Sequence, residues 1–314
     1  MDEQHSTPPH IPVLYHEIIN ALAPYSGGLY IDGTLGAGGH AFGILNASTP
    51  NGRLLGLDLD PDALVVAKQR LSMFKDRVLI RQGSYVDMAS YAKEIGWFFI
   101  DGIILDLGVS SIQLDTKERG FSFLNDAPLD MRFSAQNGTT AADLLNTLAE
   151  NELANIIWKY GEEKNSRKIA RIICQNRPIR TTFELANLVK KAYGNRFSQI
   201  HPATRTFQAI RIAVNQELQA IEIVLPQAIN LLKPGGKLAI ISFHSLEDRI
   251  VKSFFRTESK DCVCPPDQPI CTCKHIKSIK EVNRKPIEAS QREVSENPRA
   301  RSAKLRIVEK LNLA

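Results

Sequence analysis

The sequence predicts an α/β fold, a parallel sheet wrapped by helices and interrupted by a long all-helical insertion. Two patterns predict it. Strand and helix candidates alternate on either side of residues 112–215, and that stretch itself has helical periodicity throughout. A glycine-rich turn after the first strand then says where a ligand belongs, because ligands of such folds collect beyond the carboxyl ends of the strands.

The first strand is Leu29–Asp32, an apolar run that enters Gly33-Thr-Leu-Gly36-Ala-Gly38-Gly39-His40. Gly36, Gly38 and Gly39 lack Cβ atoms, so this backbone can take positive φ and approach a ligand closely. The second strand, Arg53–Asp58, ends in carboxylates. Asp58 falls about 20 residues after the turn, where an acid reaches the two hydroxyls of a ribose. A helix over Pro61–Phe74 follows, with Pro at its first turn after the capping Asp60. Val78–Arg81, Gly102–Leu107 and Lys237–Phe243 complete the strand set. Asp32, Asp58 and Asp106 all fall at strand ends, which implies one shared pocket.

After Asp106 the alternation stops. Ala142–Leu148, Glu152–Tyr160, Ser166–Gln175 and Phe183–Tyr193 are the clearest helical pieces. A connection of a hundred residues is far longer than a crossover needs. The expected organisation is therefore residues 1–111, an inserted helical substrate-recognition domain over 112–215, and residues 216–314 resuming the sheet, with a Cys-rich loop and a basic C-terminal segment. An insertion at the end of the fourth strand is expected to overhang the pocket.

Composition narrows the class. The chain has 314 residues, 43% hydrophobic and 23% charged, which is ordinary globular material. Its first ten residues are polar and carry prolines, so no signal peptide is expected. The most apolar stretch, Trp97–Val109, is broken by Asp101 and Asp106 and is too short to span a bilayer. Five cysteines, four of them clustered, do not make a disulfide framework. A cytoplasmic enzyme with no membrane partner is the simplest class. The net charge of +5 is uneven, because residues 151–215 hold 12 Lys or Arg against 4 Glu. A second basic cluster is Arg299, Arg301, Lys304 and Arg306. A basic domain beside a cofactor turn suits a polyanionic substrate. In the run His201-Pro-Ala-Thr-Arg205-Thr-Phe207-Gln-Ala-Ile-Arg211, polar and aromatic residues are interleaved with arginines, as in nucleic-acid contacts.

Two cofactors fit the turn. Gly36-x-Gly38-x-x-Ala41 satisfies a relaxed dinucleotide fingerprint, which alone is weak. Against it, Asp32 precedes the glycines, where a carboxylate repels a pyrophosphate but suits the cationic amino-acid end of S-adenosylmethionine. The pair Gly38-Gly39 followed by His40 also departs from dinucleotide spacing. The balance favours the methyl donor.

Several blocks carry a family resemblance. They are His10-Ile-Pro-Val-Leu, Tyr30-Ile-Asp-Gly-Thr-Leu-Gly-Ala-Gly-Gly-His, Leu105-Asp-Leu-Gly-Val-Ser-Ser-x-Gln-Leu-Asp, Glu118-Arg-Gly-Phe-Ser-Phe and Pro128-Leu-Asp-Met-Arg, with the His201–Ile212 run, Ser242-Phe-His-Ser-Leu-Glu-Asp-Arg and Asn297-Pro-Arg-Ala-Arg-Ser. Together, and over nearly the whole chain, they resemble the small-subunit ribosomal RNA cytosine-N4 methyltransferases, the bacterial methyltransferase H family. The resemblance implies a Rossmann-like S-adenosylmethionine-dependent methyltransferase fold with an inserted helical domain. It also implies a substrate cytidine in the decoding region of 16S ribosomal RNA, within the small ribosomal subunit. The family's cofactor positions fall on Gly38, Gly39, His40, Asp58, Tyr85, Asp106 and Gln113. Tyr85, where the family often carries phenylalanine, would pack on adenine and keeps the ring face.

Methyl transfer needs geometry above all, with the nucleophile about 3 Å from an activated methyl group. Cytosine N4 is a poor nucleophile, and Asp106 is the candidate catalytic residue that would turn its lone pair and take a proton. Orienting the cofactor is the alternative role for Asp106. Arg205, Phe207, Arg211 and His244 are candidates for contact with RNA, and Phe121, Phe123 and Phe243 for stacking on a splayed base. For His244 and Glu247, a helix cap is the plainer reading. Cys262-x-Cys264 and Cys271-x-Cys273 leave open a tetrahedral thiolate site or reduced loop thiols. Paired cysteines with a single intervening residue are a less regular metal match. Some members of the resembled family carry this loop and others lack it, which speaks against a catalytic role, and no metal ligand is assigned. A fold that binds the donor but acts as an RNA-binding or assembly factor is the second function class. The sequence does not decide between monomer and homodimer.

Overall fold

The computed structural model describes residues 12–136, 138–194, 201–265, 267, 268 and 270–312. His10 and Ile11 of the first family block therefore lie outside the described residues. The chain divides into two compact units, one built from residues 1–108 with 219–314 and the other from residues 109–218.

The first unit is a sheet flanked by helices. Its strands are β1 (Leu29–Asp32), β2 (Arg53–Asp58), β3 (Val78–Gln82), β4 (Ile100–Asp106), β5 (Leu232–Ser242), β6 (Ile279–Glu281), β7 (Ile287–Glu288) and β8 (Lys304–Lys310). Their order is β3-β2-β1-β4-β5-β8-β6, with β7 also paired to β8. Strands β1 to β5 run parallel, with Asp32 level with Gly56 on one side and with Ile104 on the other. Strand β8 is antiparallel to β5 and to the short strands β6 and β7. The central strands β1, β2 and β4 are nearly continuous apolar runs because both faces are covered. Ile31, Leu54, Leu55, Ile103 and Ile104 are wholly buried.

The expected strand ends β1 and β2 match residue for residue, and β3 and β4 differ by one or two positions. The helix expected over Pro61–Phe74 stops at Leu71, and a tighter 3-10 turn, Ser72–Arg77, follows. Its first turn is capped as expected, since Asp60 Oδ1 accepts the Asp62 N–H at 3.1 Å. In sequence, strand β8 shows only as part of a basic cluster. It is a core strand in which Leu305, Ile307 and Val308 are buried. Arg306 is buried with them, and its guanidinium grips Asp248 at 2.6 and 3.2 Å. That arginine is structural and offers nothing to a polyanion.

The second unit packs helices Ala141–Thr147, Glu150–Gly161, Ser166–Gln175, Thr182–Tyr193 and Ala203–Asn215 around Leu145, Leu153, Ile157, Ile169, Leu185 and Ile210. Residues 120–136 and 138–140 hold no regular helix, contrary to the expectation of helix throughout. Side chains satisfy that backbone instead. Arg119 donates to the Arg132 and Phe133 carbonyls at 2.9 Å each, and Asn215 accepts the Phe133 N–H at 2.7 Å. Among the described residues, no helix is long and apolar enough to cross a membrane.

Candidate active site

The loop after β1 joins the carboxyl ends of three strands. Gly33 N–H donates to the Ile104 carbonyl at 3.0 Å and Leu35 N–H to the Leu57 carbonyl at 2.8 Å. The Asp106 N–H donates to Thr34 Oγ1 at 2.6 Å. Asp58 locks the far side, its Oδ2 accepting the Gly36 N–H at 2.7 Å and its Oδ1 the Asp60 N–H at 2.9 Å. Gly38 then caps helix Gly39–Ala47 with φ 77° and ψ 22°, a left-handed conformation that disfavours side chains. At Gly33 the demand is space. A Cβ there would lie 2.5 Å from Leu105 Cδ2 and 3.0 Å from Tyr85 Cβ, so Tyr85 stands against the turn.

Three acids converge on this loop. Asp32 is 1% exposed and accepts the Thr34 N–H at 3.1 Å. Burial pushes its carboxyl up to about 7, reinforced by Asp106 and Asp58 and opposed by His40 and the Thr34 amide. Burial also raises Asp58, against the amides of Asp60 and Gly36 that favour its charged form. His40 is buried with its ring stacked on Tyr15, centroids 6.4 Å apart and planes 19° off parallel. Its Nε2 stands 3.7 Å from Asp106 Oδ2, too long for a hydrogen bond. Both His40 nitrogens and Asp106 Oδ1 are buried without a hydrogen-bond partner. Buried polar atoms are normally satisfied, so unpaired ones beside a glycine turn mark the seat of a polar ligand.

A glycine turn opening a helix, an acid after β2 and unpaired polar atoms after β4 define an enzyme that holds a nucleoside-bearing cofactor. Comparison with known proteins narrows that class. The profile of the MraW methylase family matches residues 7–311. A Geobacter protein (strain M21) named ribosomal RNA small subunit methyltransferase H is 54% identical over 307 residues, 96% of this chain and 98% of its own. A Dehalococcoides mccartyi protein of the same name is 50% identical over 303 residues, 96% of this chain and 87% of its own. A solved rRNA methylase from Streptococcus thermophilus aligns over 96% of this chain and 99% of its own, with a TM-score of 0.45 and 11% identity. At that score nothing about the chemistry follows from it. The chain belongs to the MraW methylase family, and it is a methyltransferase whose cofactor is S-adenosylmethionine.

The residues at the turn fit that cofactor. Asp32 and Asp106 offer negative charge to an ammonium or sulfonium, and no phosphate would be welcome between three carboxylates. Both Asp58 oxygens are already held by backbone amides, which fixes the carboxylate where a ribose hydroxyl would donate to it. The Gly38 amide is spent on the Leu35 carbonyl at 2.8 Å. The donors left for a carboxylate are the first amides of the following helix, at Gly39, His40 and Ala41, which lack intrahelical acceptors. Gly39 also packs on Pro12, where a Cβ would fall 2.4 Å from the ring.

The structure treats the remaining sequence candidates unequally. Gln113 is buried and committed to a capping box, its Oε1 accepting the Ser110 N–H at 3.0 Å while Ser110 Oγ accepts the Gln113 N–H at 3.2 Å. Phe207 is a core residue of the helical unit, edge-on to Phe123 at 5.0 Å, and cannot stack on RNA from there. Arg211 is engaged by buried Glu217 at 2.8 and 2.9 Å. Of that run, Arg205 alone is an exposed arginine. His244 caps helix Ser245–Glu258, its Nδ1 accepting the Glu247 N–H at 3.4 Å while Nε2 stands 3.1 Å from Glu247 Oε1. Phe121 stacks on Phe133 and Phe123 on His201, while Phe243 packs partly on the sheet core. The sequence reading missed a better basic face, because Arg167, Lys168 and Arg171 are all exposed on helix Ser166–Gln175. Helical periodicity places all three opposite Ile169, Ala170 and Ile173, so the signal was present.

Proposed function

We propose that the protein methylates N4 of a cytidine in the decoding region of 16S ribosomal RNA, acting in the cytoplasm on the small ribosomal subunit. Two relatives at 50% and 54% identity over 96% of the chain are named ribosomal RNA small subunit methyltransferase H, which supports the RNA class. The observation that carries the chemistry is the buried, unpaired Oδ1 of Asp106 at the end of β4. When bound, S-adenosylmethionine supplies a methyl group already activated by its sulfonium.

The chain's own residues do the rest. Asp32 holds the ammonium end, and Asp58, fixed by backbone amides, orients the ribose. Asp106 Oδ1 accepts a hydrogen of the cytosine amine, which turns the nitrogen lone pair out of ring conjugation, and then takes the proton. The Thr34 hydroxyl holds the Asp106 backbone, so the carboxylate is fixed before substrate arrives. The helical unit, expected over residues 112–215, serves as the RNA-recognition domain, with Arg167, Lys168, Arg171 and Arg205 meeting phosphates.

Single-turnover methylation by Asp106→Asn tests the assignment. Asn keeps the size and one acceptor but cannot take a proton. The expected result is ~100-fold slower transfer with donor and RNA binding retained. Full recovery of the rate at saturating donor would leave Asp106 as a cofactor-seating residue and overturn its catalytic role.

A further inference from the structure

The segment between helix Ser245–Glu258 and strand β6 is a long connection with no helix or strand among its described residues. Its described residues build no apolar core, since Val263, Ile270 and Ile276 are 42%, 74% and 68% exposed. Four cysteines nevertheless gather there. The Sγ of Cys271 lies 3.5 Å from those of Cys262 and Cys273 and 4.0 Å from that of Cys264, and Cys262 and Cys273 are 3.9 Å apart. All four sulfurs lie within 4.8 Å of one another, and all four cysteines are free.

We propose that Cys262, Cys264, Cys271 and Cys273 bind one structural zinc ion as a closed tetrathiolate site. Zinc holds thiolates at about 2.3 Å, and a tetrahedron of that radius has edges of about 3.8 Å. The four measured edges bracket that value. The spacing selects a mononuclear site, because an iron–sulfur cluster places its metals and bridging sulfides between the cysteines and drives them further apart. Soft thiolates and a tetrahedral set select zinc among common divalent ions.

The surroundings support the same site. Backbone N–H groups of Val263 and His275 donate to Cys273 Sγ at 3.5 Å each, the bonding that steadies a metal-bound thiolate. Lys274 takes φ 51°, which turns the chain back so that the His275 amide can reach that sulfur. His275 Nε2 donates to the Thr257 carbonyl at 3.2 Å, and Ser278 N–H to the Glu258 carbonyl at 2.9 Å. The knot is thereby tied to the end of the preceding helix. Four thiolates around a dication leave two negative charges. Lys260, Lys274 and Lys277 lie in the same segment, with Lys277 already paired to Asp261 at 3.0 Å. An exposed loop that cannot be held by apolar burial would be held by the metal.

The test uses the full, untagged chain isolated under reducing conditions without chelator. Elemental analysis should find one zinc per chain, released in step with mercurial titration of four thiols. Exchange into cobalt should give the intense visible bands and near-ultraviolet charge transfer of a tetrahedral tetrathiolate, a readout that does not depend on any variant folding. Cys264→Ser and Cys273→Ser should each lose at least 90% of the bound zinc, while Cys174→Ser, in the helical unit, should keep it. Any of four results would overturn the proposal: metal-free protein with four freely reactive thiols, two disulfides, iron with labile sulfide, or zinc that survives Cys264→Ser.

Discussion

Replacing Asp32 with Asn should make the cofactor-free protein more stable, and increasingly so as pH rises. Asp32 is 1% exposed, and burial lifts its carboxyl from the usual 3.8 to about 7. The folded state therefore binds this proton more tightly than the unfolded chain does. Between about pH 4 and pH 7 the native state carries the extra proton, so this group's contribution to stability falls as pH rises through that window and stays low above it. At roughly 1.4 kcal/mol per pKa unit, the full penalty is on the order of 4 kcal/mol. Asn retains an oxygen to accept the Thr34 N–H and carries no charge. Urea unfolding of both proteins at pH 5 and pH 8, without cofactor, isolates the difference. The variant's advantage should grow by about 2 kcal/mol or more between them. The same carboxylate should make S-adenosylmethionine binding release roughly 0.9 proton at pH 6, because a neighbouring ammonium pulls the carboxyl back down. Calorimetry in buffers of different ionisation enthalpy reads that number, and Asp32→Asn should release almost none. A pH-independent stability difference, or equal proton release from the two proteins, would refute the placement of Asp32 opposite a cation.

The helical unit should separate charge from packing. Arg167→Glu with Lys168→Glu should leave stability within about 0.5 kcal/mol and weaken ribosomal RNA binding with a shallower salt slope, whereas Phe207→Ala should cost about 3–5 kcal/mol of stability. Filter binding at several salt concentrations beside urea titration checks both. Arg306→Met leaves Asp248 unpaired in a site where the arginine side chain is 5% exposed, so about 3–5 kcal/mol should be lost, while Arg306→Leu with Asp248→Leu should come much closer to the parent in thermal melting.

The central parallel strands β1, β2 and β4 were legible because they are buried on both faces and read as apolar runs ending in Asp32, Asp58 and Asp106. Strand β8 was not legible. Lys304, Arg306, Glu309 and Lys310 give it a charged look, and only the half-buried partner Asp248 explains why an arginine sits in a core strand. The same limit applies to the His201–Arg211 run. Its arginines suggested a polyanion, yet Glu217, outside the run, claims Arg211 and the helical core claims Phe207. Asp58 has the sequence position of a ribose acid, but its bond to the Gly36 amide shows that it also fastens the turn. That second duty is set by a contact 22 positions away and leaves no local signature. The four cysteines were visible as a cluster, but spacing alone could not show that their sulfurs lie within 4.8 Å of one another.

The central claim is methyl transfer to one exocyclic amine. Small ribosomal subunits lacking the modification should be incubated with the protein and S-adenosylmethionine, and their RNA digested to nucleosides and to sequence-placed fragments for mass analysis. The account predicts one added methyl group per subunit, on N4 of a cytidine within the decoding region. A methyl group on ring carbon, ribose or another base, or no transfer by protein that binds the donor, would contradict it.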